Sequence, residues 1–120
     1  MKETIKSIIE WHEQTFPDAT LDGQEQKWED ERDEWENTSY GSRYELEELA
    51  DMVIVCCGIM RFDYVEGFNY LANTLGKIQV MPTNGKDLWG AVERKMAINR
   101  SRKWNKIGNK FQHKEEGVEE

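Results

Sequence analysis

The stretch from Leu49 to Met60 constrains the fold of this chain most, because Asp51 is its one charged side chain. A helix that is apolar all round is buried, and this one is far shorter than the roughly 20 apolar residues of a membrane span. Glu48 and Asp51 are three residues apart and share a face at the start of this helix. Since burying an isolated carboxylate is very costly, proteins pair it, neutralise it or give it a metal ion. We therefore expect a helical bundle around this segment, with an acidic site at its beginning.

A second pair of carboxylates with the same spacing, Glu31 and Glu34, lies on the preceding predicted helix. Between residues 22 and 37 that helix has no aliphatic side chain, and its large apolar groups are Trp28 and Trp35. Both tryptophans fall on the same helical stripe as Glu31, so turning them inward carries the carboxylates with them.

Two such helices side by side would hold four carboxylates around one point. Carboxylate oxygens without His or Cys suit Mg²⁺, with Mn²⁺ possible, and do not suit Zn²⁺. The predicted metal ligands are Glu31, Glu34, Glu48 and Asp51. Two simpler interpretations stay open: an acidic helix in contact with solvent, and ion pairs with Lys or Arg.

The last predicted helix shows the complementary pattern of charge. Lys95, Asn99 and Arg102 continue the apolar stripe of Leu88 and Val92 instead of opposing it. A point charge, a neutral donor and a guanidinium fork in one row are typical of phosphate binding. Salt bridges to the acidic second helix would explain the same row, and the two interpretations do not exclude each other.

Helical periodicity and few turn signals predict an all-α fold of four to five helices, completed by self-association. The expected helices cover roughly residues 2–14, 22–37, 42–62, 64–75 and 87–103, with loops at 38–41 and 76–85. Capping boxes at Asp22-x-x-Glu25 and Ser42-x-x-Glu45 are expected to open the second and third helices. The inward side chains of the fourth helix are predicted to be Val65, Phe68, Ala72 and Leu75.

Composition limits the classes of partner. The 120 residues are expected to form one domain over 1–104, followed by a loose charged tail over 105–120. A net charge of −8 argues against a nucleic-acid polymer, which needs a basic footprint. The chain shows no membrane span and no signal peptide, and Cys56 and Cys57 are typical of buried thiols. We therefore expect a cytoplasmic protein.

Two stretches of the chain resemble one known family. The run from Lys27 to Trp35 resembles the K-L-x-E-E-x-x-E-L motif of MazG-type all-α nucleotide pyrophosphohydrolases, whose signature is E-x-x-E, a spacer and E-x-x-D. The segment from Lys95 to Trp104 is similar to the family's K-M-x-x-N-x-x-R-x-W ending, and the stretch from Trp11 to Thr20 resembles its phage and bacterial dATP/dGTP pyrophosphohydrolase branch. Tryptophans 28 and 35 stand in place of the usual leucines, and Asp30 in place of a glutamate.

The resemblance implies Mg²⁺-dependent hydrolysis of nucleoside triphosphates to monophosphate and pyrophosphate, by a homodimer or a dimer of dimers. Glu31 or Glu34 would accept the proton of the attacking water, besides binding metal. The departing phosphates would contact Lys95, Asn99 and Arg102. The candidates for contact with the base are Trp11, His12 and Trp28.

Other classes of protein also carry acidic helical faces. A non-enzymatic helical oligomer could bind a basic partner through its acidic face. A di-iron or di-manganese bundle uses Glu-x-x-His on two helices, and neither His12 nor His113 follows a Glu at that spacing. Within the family itself, the substrates could be modified nucleotides rather than standard ones.

Overall fold

The computed structural model describes residues 2–38, 43–80, 87–102, 104–107 and 110–113, which form five α-helices followed by two short strands. The elements are α1 (Ile5–Thr15), α2 (Leu21–Glu36), α3 (Arg43–Met60), α4 (Tyr64–Gly76), a 3₁₀ turn (Lys77–Val80), α5 (Leu88–Ser101), β1 (Trp104–Ile107) and β2 (Lys110–His113). The expected all-α bundle is confirmed for the body of the chain. No helix in these ranges is both long and apolar enough to cross a membrane.

Helix α3 is the centre of the bundle and packs against α1, α2, α4 and α5. Its side chains Leu49, Met52 and Ile59 are completely buried, and they meet Ile8 of α1 and Met96 of α5 in one continuous core. The predicted burial of the apolar segment is therefore confirmed, and its two free cysteines are buried with it. Removing this apolar surface from water is the main driving force for the fold.

A partly buried ion pair ties the start of the chain to α5. Arg100 donates two hydrogen bonds of 2.8 Å to the carboxylate of Glu3, whose side chain is 5% exposed. The Glu3 amide donates to Glu93 at 2.9 Å, and the indole of Trp89 donates to the Glu3 carbonyl. The hydrogen bond from Arg100 holds the pKa of Glu3 below its usual range. These contacts fix α1 against the helix that carries the predicted phosphate row.

Local hydrogen bonds explain where the helices begin. Thr4 and Ser7 form a reciprocal capping box at α1, and Asp63 caps α4. The start of α2 differs from the prediction, because Thr20 accepts from the Gly23 amide at 3.0 Å and the helix begins at Leu21. The expected capping box at Ser42 and the loop around Pro82 lie outside the described residues.

The predicted inward face of α4 is wrong. Val65 is 71% exposed and Phe68 is 50% exposed, and Ala72 and Leu75 are exposed with them. The helix instead turns Gly67 and Thr74 toward the core.

Close contact explains this choice of face. A Cβ atom on Gly67 would lie 2.6 Å from the backbone nitrogen of Met60, so α4 approaches the end of α3 more closely than any larger residue allows. Thr74 is fully buried and accepts a 3.0 Å hydrogen bond from the indole of Trp28. The small and polar side of α4 therefore meets the bundle, and its apolar side is left on the surface.

Two short strands lie at the beginning of the stretch expected to be a loose tail. Strands β1 and β2 pair antiparallel, with Trp104 opposite His113 and Ile107 opposite Lys110. The two residues between the strands are Gly-Asn, a pair typical of two-residue hairpin turns. Residues 77–80, expected in a loop, form the 3₁₀ turn, and residues 114–120 lie outside the described ranges.

The close approach at Gly67 predicts a large loss of stability on substitution. We expect Gly67→Ala to lower the free energy of unfolding by about 1–3 kcal/mol, because the added methyl group collides with backbone atoms that cannot move freely. Gly76→Ala in the same helix is the matched control, since nothing lies within 4 Å of its added Cβ. Urea denaturation measures both variants, and equal stabilities would contradict the packing described for α4.

Candidate functional site

Three of the four predicted metal ligands converge at the junction of α2 and α3. Glu31, Glu34 and Glu48 each offer one carboxylate oxygen, and these oxygens all lie within 4.8 Å of one another. The spacing of three residues puts Glu31 and Glu34 on the same side of α2, and the packing of α2 against α3 brings Glu48 opposite them. Separations of this size allow one divalent cation to contact all three carboxylates.

Asp51 lies one turn further along α3 and takes part in an ion pair. Lys95 Nζ of α5 is 3.4 Å from Asp51 Oδ2, and Lys27 Nζ is 3.0 Å from Glu31 Oε2. All four of these residues line the same cavity. The ion-pair interpretation of the acids is thus realised at Glu31 and Asp51, beside a carboxylate cluster that holds more negative charge than the two lysines neutralise.

The electrostatics of the cluster disfavour full ionisation. Burial, followed by repulsion from Asp51, raises the pKa of Glu48 to about 7. Burial, followed by repulsion from Glu31, raises the pKa of Asp51 to about 6 and also raises the pKa of Glu34. These are the directions expected when like charges share a partly desolvated site.

The Oε2 atom of Glu48 is buried without a hydrogen-bond partner among the residues that the structure describes. Such an atom costs free energy unless a proton or a cation meets it. An all-carboxylate donor set with one unmatched oxygen fits a hard divalent cation such as Mg²⁺ or Mn²⁺.

The predicted phosphate row lines the same cavity as the acids. Lys95 and Asn99 project from α5, and Arg102 follows directly at its C-terminal cap. Asn99 is 9% exposed, and its backbone carbonyl accepts a 3.2 Å hydrogen bond from the indole of Trp104. Lys27 is a further cation in the cavity that was not among the predicted site residues. Its position four residues before Glu31 puts both side chains on the same helical face, which could have identified it.

The cavity, of about 550 Å³, has an aromatic end beside its charged end. Trp11, Phe16 and Trp104 form edge-to-face contacts there, with ring centroids 5.1 to 6.2 Å apart. Two of the predicted base-contact residues, Trp11 and His12, line this end. Besides Lys27, five residues that line the cavity were not among the predicted site residues: Phe16, Gln24, Ile54, Val55 and Trp104.

The prediction for Trp28 requires correction. Its side chain is 4% exposed and lies in the core, with its indole nitrogen bonded to Thr74 and its ring 4.9 Å from that of Tyr70. Trp28 does point inward from α2, but inward at this position means toward α4 and not toward the cavity. Helical spacing alone could not distinguish these two directions, because it does not say which neighbour a buried face will meet.

Comparisons of the chain with protein-family models, with curated proteins and with solved structures found no match. The resemblance to MazG-type pyrophosphohydrolases therefore rests on the motif residues themselves.

The raised pKa of Glu48 predicts how stability depends on pH without metal. Below about pH 4.5, the ordinary pKa of a glutamate side chain, Glu48 is protonated in both the folded and the unfolded protein. Between that value and pH 7 the unfolded state loses its proton first, so stability falls as the pH rises. In EDTA, we expect the melting temperature of Glu48→Gln to fall less over this range than that of the wild type. The exposed Glu29→Gln is the control, and parallel curves for the wild type and Glu48→Gln would refute the assignment.

Proposed function

We propose that this protein hydrolyses nucleoside triphosphates to monophosphate and pyrophosphate with Mg²⁺, in the cytoplasm. The observation that carries the proposal is the cavity itself, which combines a carboxylate cluster, a row of cations and an aromatic end. A nucleoside triphosphate is complementary to these three features. Its phosphates would bind a metal ion held by the carboxylates and would contact the cations, and its base would stack on the aromatic rings. A volume of about 550 Å³ lies within the usual range for small-molecule sites.

The acids have two tasks in this proposal. Glu31, Glu34, Glu48 and Asp51 would hold the cation, which supplies Lewis-acid chemistry and offsets the charge of the phosphates. Glu34 is the exposed member of the cluster, and its raised pKa brings it closer to that of an effective base at neutral pH. It would accept the proton of the water that attacks the α-phosphorus in line with the departing pyrophosphate.

The cations of α5 act on the leaving group. Lys95 exchanges its contact with Asp51 for a phosphate oxygen, and Arg102 offers a planar fork that matches two oxygens at once. Asn99 donates without adding charge. These groups would stabilise the charge that develops on pyrophosphate.

Self-association is part of the proposal. On α4, Tyr64, Val65, Phe68 and Leu75 form an exposed apolar face, 43 to 71% accessible to solvent. A contiguous apolar surface of this kind is typical of a protein–protein contact. We propose that this face pairs with a second copy in a homodimer, or in a dimer of dimers.

The reaction is tested by products. With Mg²⁺ and a panel of dNTPs and NTPs, ion-exchange chromatography should show monophosphate and pyrophosphate. Glu48→Gln keeps the shape of the side chain but removes a negative ligand, so we expect a loss of at least about 100-fold in activity with the helical fold retained. Glu47→Gln, on the same helix but outside the cavity lining, is the matched control. Full activity of Glu48→Gln would refute the role of Glu48.

Thermal denaturation separates the enzyme from an acidic module that binds a basic partner. A cation that binds the folded state alone must raise the melting temperature. We expect Mg²⁺ to stabilise the wild type and to stabilise Glu48→Gln less. No stabilisation, combined with no turnover of standard or modified nucleotides, would favour the binding module.

The oligomer is tested at α4. Val65→Asp with Phe68→Asp places charges in the proposed contact and should convert the dimer to a monomer in sedimentation velocity. Ile98→Asp changes an aliphatic residue that is 45% exposed on α5, and it serves as the control. A wild-type protein that sediments as a monomer at micromolar concentration would contradict the proposed contact.

A further inference from the structure

His12 is a buried imidazole whose protonation is set by its neighbours. Its side chain is 4% exposed, and Arg61 Nη1 lies 3.1 Å from His12 Nδ1. The same guanidinium nitrogen donates a 2.8 Å hydrogen bond to the Phe16 carbonyl, which holds Arg61 in place. A guanidinium group has donors and no acceptor, so Nδ1 of His12 must accept. The proton of the neutral ring is therefore on Nε2.

The protonated nitrogen faces Gln24. The side-chain oxygen of Gln24, an acceptor, lies beside His12 Nε2 and can receive a hydrogen bond from the ring N–H. Both atoms lie against the backbone of α3 at Gly58. A Cβ added there would be 2.7 Å from Gln24 Oε1 and 2.8 Å from His12 Nε2, so only glycine leaves room for this contact.

Gln24 is left with its amide nitrogen to offer a ligand. Its side chain is 6% exposed and lines the cavity beside the aromatic rings. Because its oxygen lies beside Nε2 of His12 and against Gly58, the two N–H donors of Gln24 are the groups left to meet a bound molecule. Burial lowers the pKa of His12 to about 4, so the ring stays neutral and the arrangement persists at physiological pH.

We propose that Arg61, His12 and Gln24 form a hydrogen-bond relay that presents amide donors to the base, so that the site selects bases carrying a carbonyl oxygen over bases carrying an amino group. The inference rests on the proposed function, because it assumes that the aromatic end receives a base. Gln24 is the residue that contacts the ligand, while His12 and Arg61 position it. An amino group facing these donors would leave buried polar groups unpaired, which is the strongest source of discrimination in binding sites.

Two deoxynucleoside monophosphates that differ at position 6 of the purine test the selection. Deoxyinosine monophosphate has a carbonyl oxygen there and deoxyadenosine monophosphate an amino group. We expect calorimetry with Mg²⁺ to show about tenfold or greater preference for the inosine compound in the wild type. Gln24→Glu should abolish or invert that ratio, because it replaces the donors with acceptors.

The control is Gln26→Glu, which adds the same charge to the same helix at an exposed position and should keep the wild-type ratio. Equal affinities for the two compounds, or no binding of either, would overturn the proposal. The measurement requires no turnover, so it separates failure of this inference from failure of the proposed reaction.

The relay itself has a direct spectroscopic readout. Two-bond ¹H–¹⁵N correlations distinguish the two neutral tautomers of histidine, and His113→Gln leaves His12 as the one histidine in the chain. We expect the Nε2–H form in the wild-type background and a loss of that bias in Arg61→Met. A predominant Nδ1–H form would refute the relay, whatever the nucleotide preference.

Discussion

The concentration of carboxylates at the start of a buried helix is the constraint on which the rest of this structure depends. The segment of α3 from Leu49 to Met60 is buried because it is apolar on nearly all sides, and Glu48 and Asp51 go with it into a partly desolvated site. Glu31 and Glu34 add charge of the same sign from α2. Lys27 and Lys95 form ion pairs with two of these carboxylates. The Oε2 atom of Glu48 is buried without a hydrogen-bond partner among the described residues. Such an arrangement costs stability unless further positive charge or a proton meets it.

The odd composition of α2 follows from its two different neighbours. One side carries Trp28 into the core against α4, where an indole hydrogen bond to Thr74 replaces aliphatic packing. The adjoining edge of the same face carries Gln24, Lys27 and Glu31 into the cavity. The inward face of α2 is therefore shared between a tryptophan in the core and polar residues in the cavity, and aliphatic residues occupy neither position.

In helix α4, small and polar residues also take the buried positions in place of aliphatic ones. Its contact with α3 is so close that glycine and a hydrogen-bonded threonine occupy the buried positions. The apolar residues that would usually fill a core are displaced to the surface. Apolar residues at helical spacing predict that a face is covered, but they do not say whether the same chain covers it.

Spacing along the sequence determined the helices, the shared faces of both carboxylate pairs, and the alignment of Lys95 with Asn99. These features are local, because 3.6 residues per turn fixes the angles between side chains on one helix. Tertiary structure decided the rotation of each helix about its axis and its choice of neighbours. That is why Trp28 lies in the core, α4 exposes its apolar face, and Gln24 joins His12 beside Gly58. Such contacts depend on the packing of helices far apart in the chain, which no local spacing encodes.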